Sequence, residues 1–254
     1  MIFLRETWIV LVRSLRLSLR TPAWALLSLV QPLLYLALFG PLLERVVTAT
    51  PDLPPGNTWQ IFVPGLLVQL GLFGTAFVGF GIIAESRAGV IDRLHVTPAH
   101  RSALLLGRVL RDVLVLQVQA VLLVGAALPL GLRLRWQGAL LAIVLVGLLG
   151  AAFASLSYAV ALALKSEDAL APTLNGVTLP LLLLSGILLP MTIAPRWLRI
   201  LSRANPLSHV VDAIRACFRD GPLTSDVLPG TAWTLALVLF GLLIGTRTFQ
   251  RESA

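Results

Sequence analysis

The chain has 254 residues, of which 57% are hydrophobic and 13% are charged, and its formal net charge is +8. A soluble domain of this length cannot bury so much apolar surface in one core, so the composition excludes a soluble globular protein and indicates an integral membrane protein. Because the arginines lie beside apolar runs, the positive charge indicates contact with a lipid bilayer and argues against nucleic-acid binding.

The first predicted element is a basic amphipathic helix over residues 1–21. Arg5, Arg13, Arg16 and Arg20 share one arc of a helical wheel, and most apolar side chains lie on other faces. This pattern is typical of a helix that lies in the headgroup layer of the inner leaflet. A positively charged flank with no fixed structure is the alternative.

Six apolar windows follow, each close to the ~20 residues that a helix needs to cross a bilayer. They comprise residues 23–43, 60–84, 112–132, 138–164, 171–191 and 229–246. The expected fold is an all-α integral membrane domain over residues 22–247 with six transmembrane helices, followed by a cytoplasmic tail at 248–254. No ionisable residue lies near the centre of a window, which argues against a proton-coupled transporter.

The orientation follows from the arginine distribution. With the N-terminus inside, the first two outer loops hold only Arg45, Arg133 and Arg135, and the inner loops hold most of the others. We therefore expect both termini in the cytoplasm. The bias toward Arg over Lys, with abundant Ala, Leu and Gly, is typical of a high-GC bacterial genome, so the expected location is a bacterial plasma membrane.

Residues 84–98, here called the charged segment, separate the second and third windows. Each charge would cost ~2.5–3.5 kcal/mol inside hydrocarbon, so the charged segment must lie outside the bilayer. A wheel from Glu85 onward places Asp92 on one side and Val90 and Leu94 on the other, which predicts a short two-faced helix. Such a helix suits a socket in another protein, but a solvated loop or a helix lying on lipid fits the pattern equally well.

Small and polar residues inside the windows allow two interpretations each. Gly71, Thr75 and Gly79 recur every four positions and permit close helix packing, either between two copies of the chain or within one. Polar side chains in spans either line a pathway or hydrogen-bond to neighbouring helices. The candidates for lining a pathway are Gln69, Gln117, Asn175 and Thr178.

The connection between the fifth and sixth windows, residues 192–228, is long enough to form structure of its own. It begins with arginines at helical spacing, which indicate a short interfacial helix. Asn205 and Pro206 then break the helix, and a second apolar helix follows in which Asp212 can pair with Arg215. We expect a re-entrant outer hairpin that dips partway into the bilayer.

The sequence argues against catalytic chemistry in this chain. Ser208, His209 and Asp212 lie within one helical turn, and the adjacent Ser208 and His209 point apart, so the three side chains do not converge into a triad. The three histidines and the single Cys217 lack the spacing of metal ligands. A P-loop needs Gly-x-x-x-x-Gly-Lys-Ser/Thr, but the one lysine, Lys165, follows Ala-Leu-Ala-Leu. We expect no catalytic residue, metal or cofactor here.

Two runs of the sequence resemble one family. The pattern Glu-x-x-x-Gly-x-Ile-Asp-Arg-Leu-x-x-Thr-Pro at 85–98, followed by Gly107 and Arg108, is similar to the cytoplasmic loop of the ABC type-2 permeases, the membrane subunits of ATP-binding-cassette exporters. The run Asn-Pro-Leu-Ser-His-Val-Val-Asp-Ala-Ile-Arg at 205–215 resembles the same family. The resemblance covers essentially the whole chain and is closest to the daunorubicin-resistance type of drug exporter.

The resemblance implies that the charged segment is a coupling helix, which inserts into a groove on a separate ATPase subunit and passes closure of the nucleotide dimer to the spans. The residues assigned to this contact are Glu85, Arg87, Gly89, Asp92, Arg93 and Leu94. Thr97 as an N-cap and Pro98 at the first helical position would set the angle of the lever. Arg87 departs from the family pattern, which usually has a second acidic residue near this point.

The resemblance also implies an assembly. Two permease copies, by default identical, and two ATPase copies would enclose a pathway, with ATP and Mg²⁺ bound by the ATPase. The apolar spans suit export of a hydrophobic or amphiphilic compound, drug-like or lipid-like, from the cytoplasm. A permease for a lipo-oligosaccharide or polysaccharide shares every motif and remains an alternative.

Overall fold

The computed structural model describes residues 2–20, 23–49, 57–89, 100–188, 191–222 and 224–251, and all regular structure in these ranges is helical. The expectation of an all-α fold is confirmed there. The helices are α1 (Ile2–Arg20), α2 (Ala23–Ala49), α3 (Thr58–Ala76), α4 (Gly79–Arg87), α5 (Arg101–Ala127), α6 (Trp136–Leu164), α7 (Glu167–Leu184), α8 (Arg196–Ala204), α9 (Pro206–Arg219) and α10 (Val227–Arg251), with a 3₁₀ turn at Met191–Ile193 before α8.

Five helical stretches in the described ranges are long and apolar enough to cross a membrane. They are Leu26–Leu43, Thr58–Arg87, Arg101–Ala127, Trp136–Leu164 and Val227–Arg251. The fifth predicted window, 171–191, corresponds to α7, which has 18 residues and carries Glu167 and Asp168 in its first turn. Length and composition thus support five of the six predicted spans.

The second span is interrupted between α3 and α4. An interruption inside a membrane leaves backbone groups that water cannot satisfy. Here α6 satisfies them, because the Ser157 hydroxyl donates to the Ala76 carbonyl and accepts a hydrogen bond from the Gly79 N–H at 2.9 Å. Ser157 is buried, so these two hydrogen bonds lie in the packed interior.

Helix α6 lies at the centre of the bundle and packs against α3, α5, α9 and α10. Its closest approaches depend on glycine. A Cβ atom on Gly241 of α10 would lie 2.6 Å from the Ala152 carbonyl oxygen, and one on Gly138 of α6 would overlap the Cys217 carbonyl oxygen of α9. Because lipid supplies no hydrophobic force between helices, such close backbone packing holds membrane helices together.

The strip Gly71, Thr75 and Gly79 also lies against α6. A Cβ on Gly71 would contact the Val146 side chain at 3.5 Å, and one on Gly79 would lie 2.7 Å from the Ser157 carbonyl oxygen. All three residues are buried. The structure therefore supports the intramolecular alternative for this strip.

Helix α1 packs along the first turns of α5. A Cβ on Gly107 would lie 2.7 Å from the Val10 side chain and 2.9 Å from the Thr7 carbonyl oxygen, so the two helices touch closely. The opposite side of α1 leaves Leu4 and Trp8 mostly exposed. The predicted helix is thus present, in place of an unstructured flank, with an apolar surface directed away from the bundle.

We expect Gly241→Ala to destabilise the protein. The added Cβ meets backbone atoms of α6, which cannot move aside without separating the helices, and overpacking costs about 1–3 kcal/mol. The matched control is Gly125→Ala on α5, where a Cβ meets nothing within 4 Å and helix propensity gains ~0.5–1 kcal/mol. Thermal unfolding in detergent micelles measures both, and equal midpoints for the two variants would contradict the packing interpretation.

Candidate coupling site

The described part of the charged segment is the end of the second span. Glu85 and Arg87 lie in the last turn of α4, and Gly89 has a φ of 67°, the left-handed conformation that commonly ends a helix. The predicted helix over 84–98 stays a prediction, since Glu85 and Arg87 are helical, Ala88 and Gly89 form a turn, and residues 90–99 lie outside the described ranges. Outside the described residues lie the other five predicted contacts, Asp92, Arg93, Leu94, Thr97 and Pro98.

Two ion pairs tie the end of α4 to other helices. Arg108 Nη2 of α5 lies 2.6 Å from Glu85 Oε2, and Arg87 Nη1 lies 3.1 Å from Glu167 Oε1 of α7. The pairs differ in burial. The Arg108 side chain is only 10% exposed, whereas Arg87 and Glu167 are 61% and 40% exposed. An exposed pair contributes about 0–1 kcal/mol, but a buried charge strongly requires its partner.

A second set of bonds lies one helical turn further along α5. The buried Tyr158 hydroxyl of α6 donates to Asp112 Oδ2 at 2.6 Å and accepts from Arg111 Nη2 at 3.3 Å. Arg111 Nη1 donates to the Ser18 hydroxyl of α1 at 3.1 Å, and Arg111 Nε lies 3.1 Å from Asp112 Oδ1. With Glu85 and Arg108, the residues Arg111, Asp112 and Tyr158 form what we call the polar cluster, which joins α1, α4, α5 and α6.

Helix α5 begins at Arg101, eleven positions before the predicted window start at 112. Arg108 and Arg111 are therefore part of the helix and can contribute to the polar cluster. Arg108 and Arg111 are three positions apart and so share one helical face. Both arginines lie before the predicted window, and their partners Glu85, Ser18 and Tyr158 are distant in the sequence. The available signal was the run Arg-Val-Leu-Arg-Asp at 108–112, because ionisable residues in a membrane helix usually indicate function.

A cleft of about 150 Å³ opens beside the polar cluster, between α1 and the end of α4. Its wall includes the guanidinium groups of Arg108 and Arg111 and the hydroxyl-bearing Ser14 and Ser18. Gly81 also faces it, and a Cβ there would meet nothing within 4 Å. The end of α4 therefore has free space beside it on the α1 side and ionic contacts on the α5 side.

The four pathway candidates have different surroundings. Gln117 Nε2 donates to the Ile143 carbonyl at 3.0 Å, and the Thr178 hydroxyl donates to the Leu174 carbonyl of its own helix at 2.8 Å. Both bonds are to backbone carbonyls, but Gln117 Oε1 is buried without a hydrogen-bond partner among the described residues, so the pathway assignment of these residues stays a prediction. Gln69 is buried, and its Oε1 has no hydrogen-bond partner among the described residues, whereas Asn175 is partly exposed.

The connection between α7 and α10 contains two helices, α8 and α9, with the predicted break between them. Asn205 accepts a hydrogen bond from the Leu207 N–H at 3.0 Å as the N-cap of α9, and Pro206 occupies the first helical position. The Asn205 amide also donates to the Leu181 carbonyl at 2.8 Å, which joins the hairpin to α7.

Arg215 fixes α9 to the spans. Its Nε donates to the Ile61 carbonyl at 3.0 Å and its Nη2 to the Gly186 carbonyl at 2.7 Å, while the predicted partner Asp212 lies 3.7 Å from Nη1. Burial lowers the pKa of Arg215 to about 10, so the guanidinium stays charged at neutral pH. The predicted ion pair is present, but carbonyl oxygens of α3 and of the turn after α7 accept the shorter bonds.

We expect Tyr158→Phe to destabilise the bundle by about 1–3 kcal/mol, because the buried Asp112 carboxylate loses a hydroxyl donor. Tyr35→Phe on α2 is the control, since Tyr35 packs against Phe39 through its ring, which phenylalanine retains. Thermal unfolding in detergent compares the two. A Tyr158→Phe variant as stable as Tyr35→Phe would show that the hydroxyl contributes nothing.

The single cysteine offers a test of the outer hairpin. Cys217 is buried, and burial raises the pKa of its thiol to about 11, so maleimide should label it slowly at neutral pH. Arg215→Gln removes charged hydrogen bonds worth ~1.5–3 kcal/mol each, so we expect labelling to accelerate more than about tenfold. Arg219→Gln, which breaks the 2.6 Å contact with Asp220, should leave the rate unchanged. Equal rates in the two variants would contradict the assigned role of Arg215.

Comparison with known proteins agrees with these motifs. The sequence model of the ABC-2 type transporter family matches residues 5–218. The chain is 29% identical over 216 residues to a transport permease named ycf38 of Cyanophora paradoxa, covering 84% of this chain and 74% of that protein. Two further relatives are named as drug-resistance permeases.

The first of these is the doxorubicin resistance ABC transporter permease protein DrrC of Mycobacterium tuberculosis, 26% identical over 69% of this chain and 64% of its own length. The second is the daunorubicin resistance ABC transporter permease protein DrrB1 of Streptomyces coeruleorubidus, 30% identical over 71% of this chain and 62% of its own length. The chain thus spans slightly under two thirds of both drug-resistance relatives. Since the family match covers most of the sequence, including the charged segment and α9, the chain belongs to the ABC-2 type transporter family.

Proposed function

We propose that the chain is the permease subunit of an ATP-binding-cassette exporter, which moves a hydrophobic or amphiphilic compound out of the cytoplasm. The observation that carries this proposal is the family match over residues 5–218. The names of the doxorubicin and daunorubicin resistance relatives support a drug-like cargo. The apolar composition of the five described spans is compatible with such a compound.

The energy for transport comes, in this proposal, from a separate ATPase. The sequence contains no Gly-x-x-x-x-Gly-Lys-Ser/Thr run, so the chain has no P-loop to hold ATP and Mg²⁺. Two ATPase copies would bind two copies of the permease, most simply a homodimer. The charged segment would dock into the ATPase, because its charges lie between the second and third described spans and exclude it from the hydrocarbon.

Contacts at one end of the bundle support a shared cytoplasmic side for the termini and the charged segment. The His100 N–H donates to Glu6 Oε2 of α1 at 2.8 Å, and Arg101 Nη1 donates to the Gln250 carbonyl near the end of α10 at 3.0 Å. The helix α1, the start of α5 and the end of α10 therefore lie together at this end of the bundle. The exposed arginines of α1 would lie among inner-leaflet headgroups.

Contacts at the opposite end support an outer location for α8 and α9. The Gln60 amide donates to the Arg133 carbonyl at 2.7 Å, and Arg135 Nη1 donates to the Asp220 carbonyl at 3.1 Å. These bonds gather the start of α3, the loop before α6 and the end of α9. A hairpin on this side would cover the outer mouth of the pathway.

Co-purification of the detergent-solubilised permease with its ATPase tests the proposal. We expect the wild-type chain to bind the ATPase and stimulate ATP hydrolysis, and the double variant Asp92→Ala and Leu94→Ala to lose binding, stimulation or both. The matched control is Asp226→Ala and Leu228→Ala, which removes the same side chains at the same spacing from exposed positions on the proposed outer side. A loss in both double variants, or in neither, would contradict docking through the charged segment.

A further inference from the structure

Glu85 has an intramolecular partner at the point where an ATPase contact is predicted. Its Oε2 accepts a hydrogen bond from Arg108 Nη2 at 2.6 Å, within the range of strong charge-assisted bonds. The other side of the Glu85 carboxylate is partly open, since the side chain is 42% exposed. Glu85 thus connects the start of the charged segment to α5.

Burial makes this connection stiff. Arg108 lies in a membrane helix, and removing its carboxylate would leave an uncompensated buried charge. The two helices therefore stay joined at this point when either of them moves. Arg87 and Glu167, by contrast, are both well exposed, so their pair separates at little cost.

Hydrogen bonds on the same side of the bundle also connect α5 to α1 and α6. Arg111, one turn beyond Arg108, bonds Ser18 of α1 and Tyr158 of α6. Tyr158 in turn bonds Asp112, which holds α5 against α6. The cleft lined by Gly81 and Glu85 leaves open space between α4 and α1.

We propose that the Glu85 and Arg108 ion pair is the link that passes motion of the charged segment to α5. In this assignment Glu85 acts inside the permease as a positioning residue and does not contact the ATPase, although the family resemblance assigns it to that contact. The inference rests on the proposed function, because it requires an ATPase that moves the charged segment. In that case movement of the charged segment would be transmitted to α5 through Glu85 and Arg108.

The test uses the complete permease and ATPase complex with single variants Glu85→Gln and Arg108→Gln, their double variant, and the charge exchange Glu85→Arg with Arg108→Glu. We expect all four to co-purify with the ATPase. Each single variant should lower permease-stimulated ATP hydrolysis by roughly two- to thirtyfold, the range for residues that couple two sites. The double variant should be no worse than either single one, and the exchange should recover part of the stimulation.

Glu167→Gln is the control, because it breaks the exposed pair at the same end of α4 and should leave hydrolysis unchanged. Arg108→Lys keeps the buried charge and should retain most of the stimulation, so a loss of folding in Arg108→Gln does not decide the result. A co-purification defect in Glu85→Gln alone would overturn the inference by showing that Glu85 contacts the ATPase. Additive losses in the double variant would also overturn it.

Failure of the two proposals is distinguishable. If the wild-type permease neither binds nor stimulates the ATPase, the proposed function is wrong, and so is the proposed role of the Glu85 and Arg108 ion pair. If the wild type is active but the single variants match it, only the Glu85 and Arg108 link is wrong.

Discussion

The structure depends on pairing polar groups that the packed helices bury or partly bury. Arg108, Arg111 and Asp112 occupy the first half of a helix that is otherwise largely apolar, and each has a protein partner within hydrogen-bonding or ionic distance. The same constraint explains Ser157, which completes the broken helix between α3 and α4. In a bilayer such groups must be paired inside the protein, so each pairing also fixes a position of one helix against another.

These pairings are concentrated at the two ends of the bundle. The polar cluster joins four helices near the charged segment, and Arg215 joins α9 to α3 and to the turn after α7 at the far end. Between them many contacts are apolar or made through glycine, and a few hydrogen bonds join helices there, such as those of Gln117 and Ser157.

Features that depend on neighbouring residues can be predicted from this sequence, whereas features that depend on residues far away in the chain cannot. The break at Asn205 and Pro206 depends on neighbouring residues only, so cap chemistry reveals it. The start of α5 at Arg101 was missed because hydropathy rejects charged residues, and the partners that make Arg108 and Asp112 acceptable lie 23 and 46 positions away. The interruption after Ala76 leaves no mark in a continuous apolar run, since Ser157, which repairs it, is on another helix.

The glycines around α6 have a genetic consequence. At Gly138 and Gly241 the neighbouring backbone occupies the space of a Cβ atom, and every replacement of glycine adds one. We therefore expect any replacement at these positions to weaken the packing of α6 against its neighbours. A hydrophobic exchange on an exposed surface of the bundle changes few contacts, but at these two glycines the helices meet at a distance that leaves no room for a side chain.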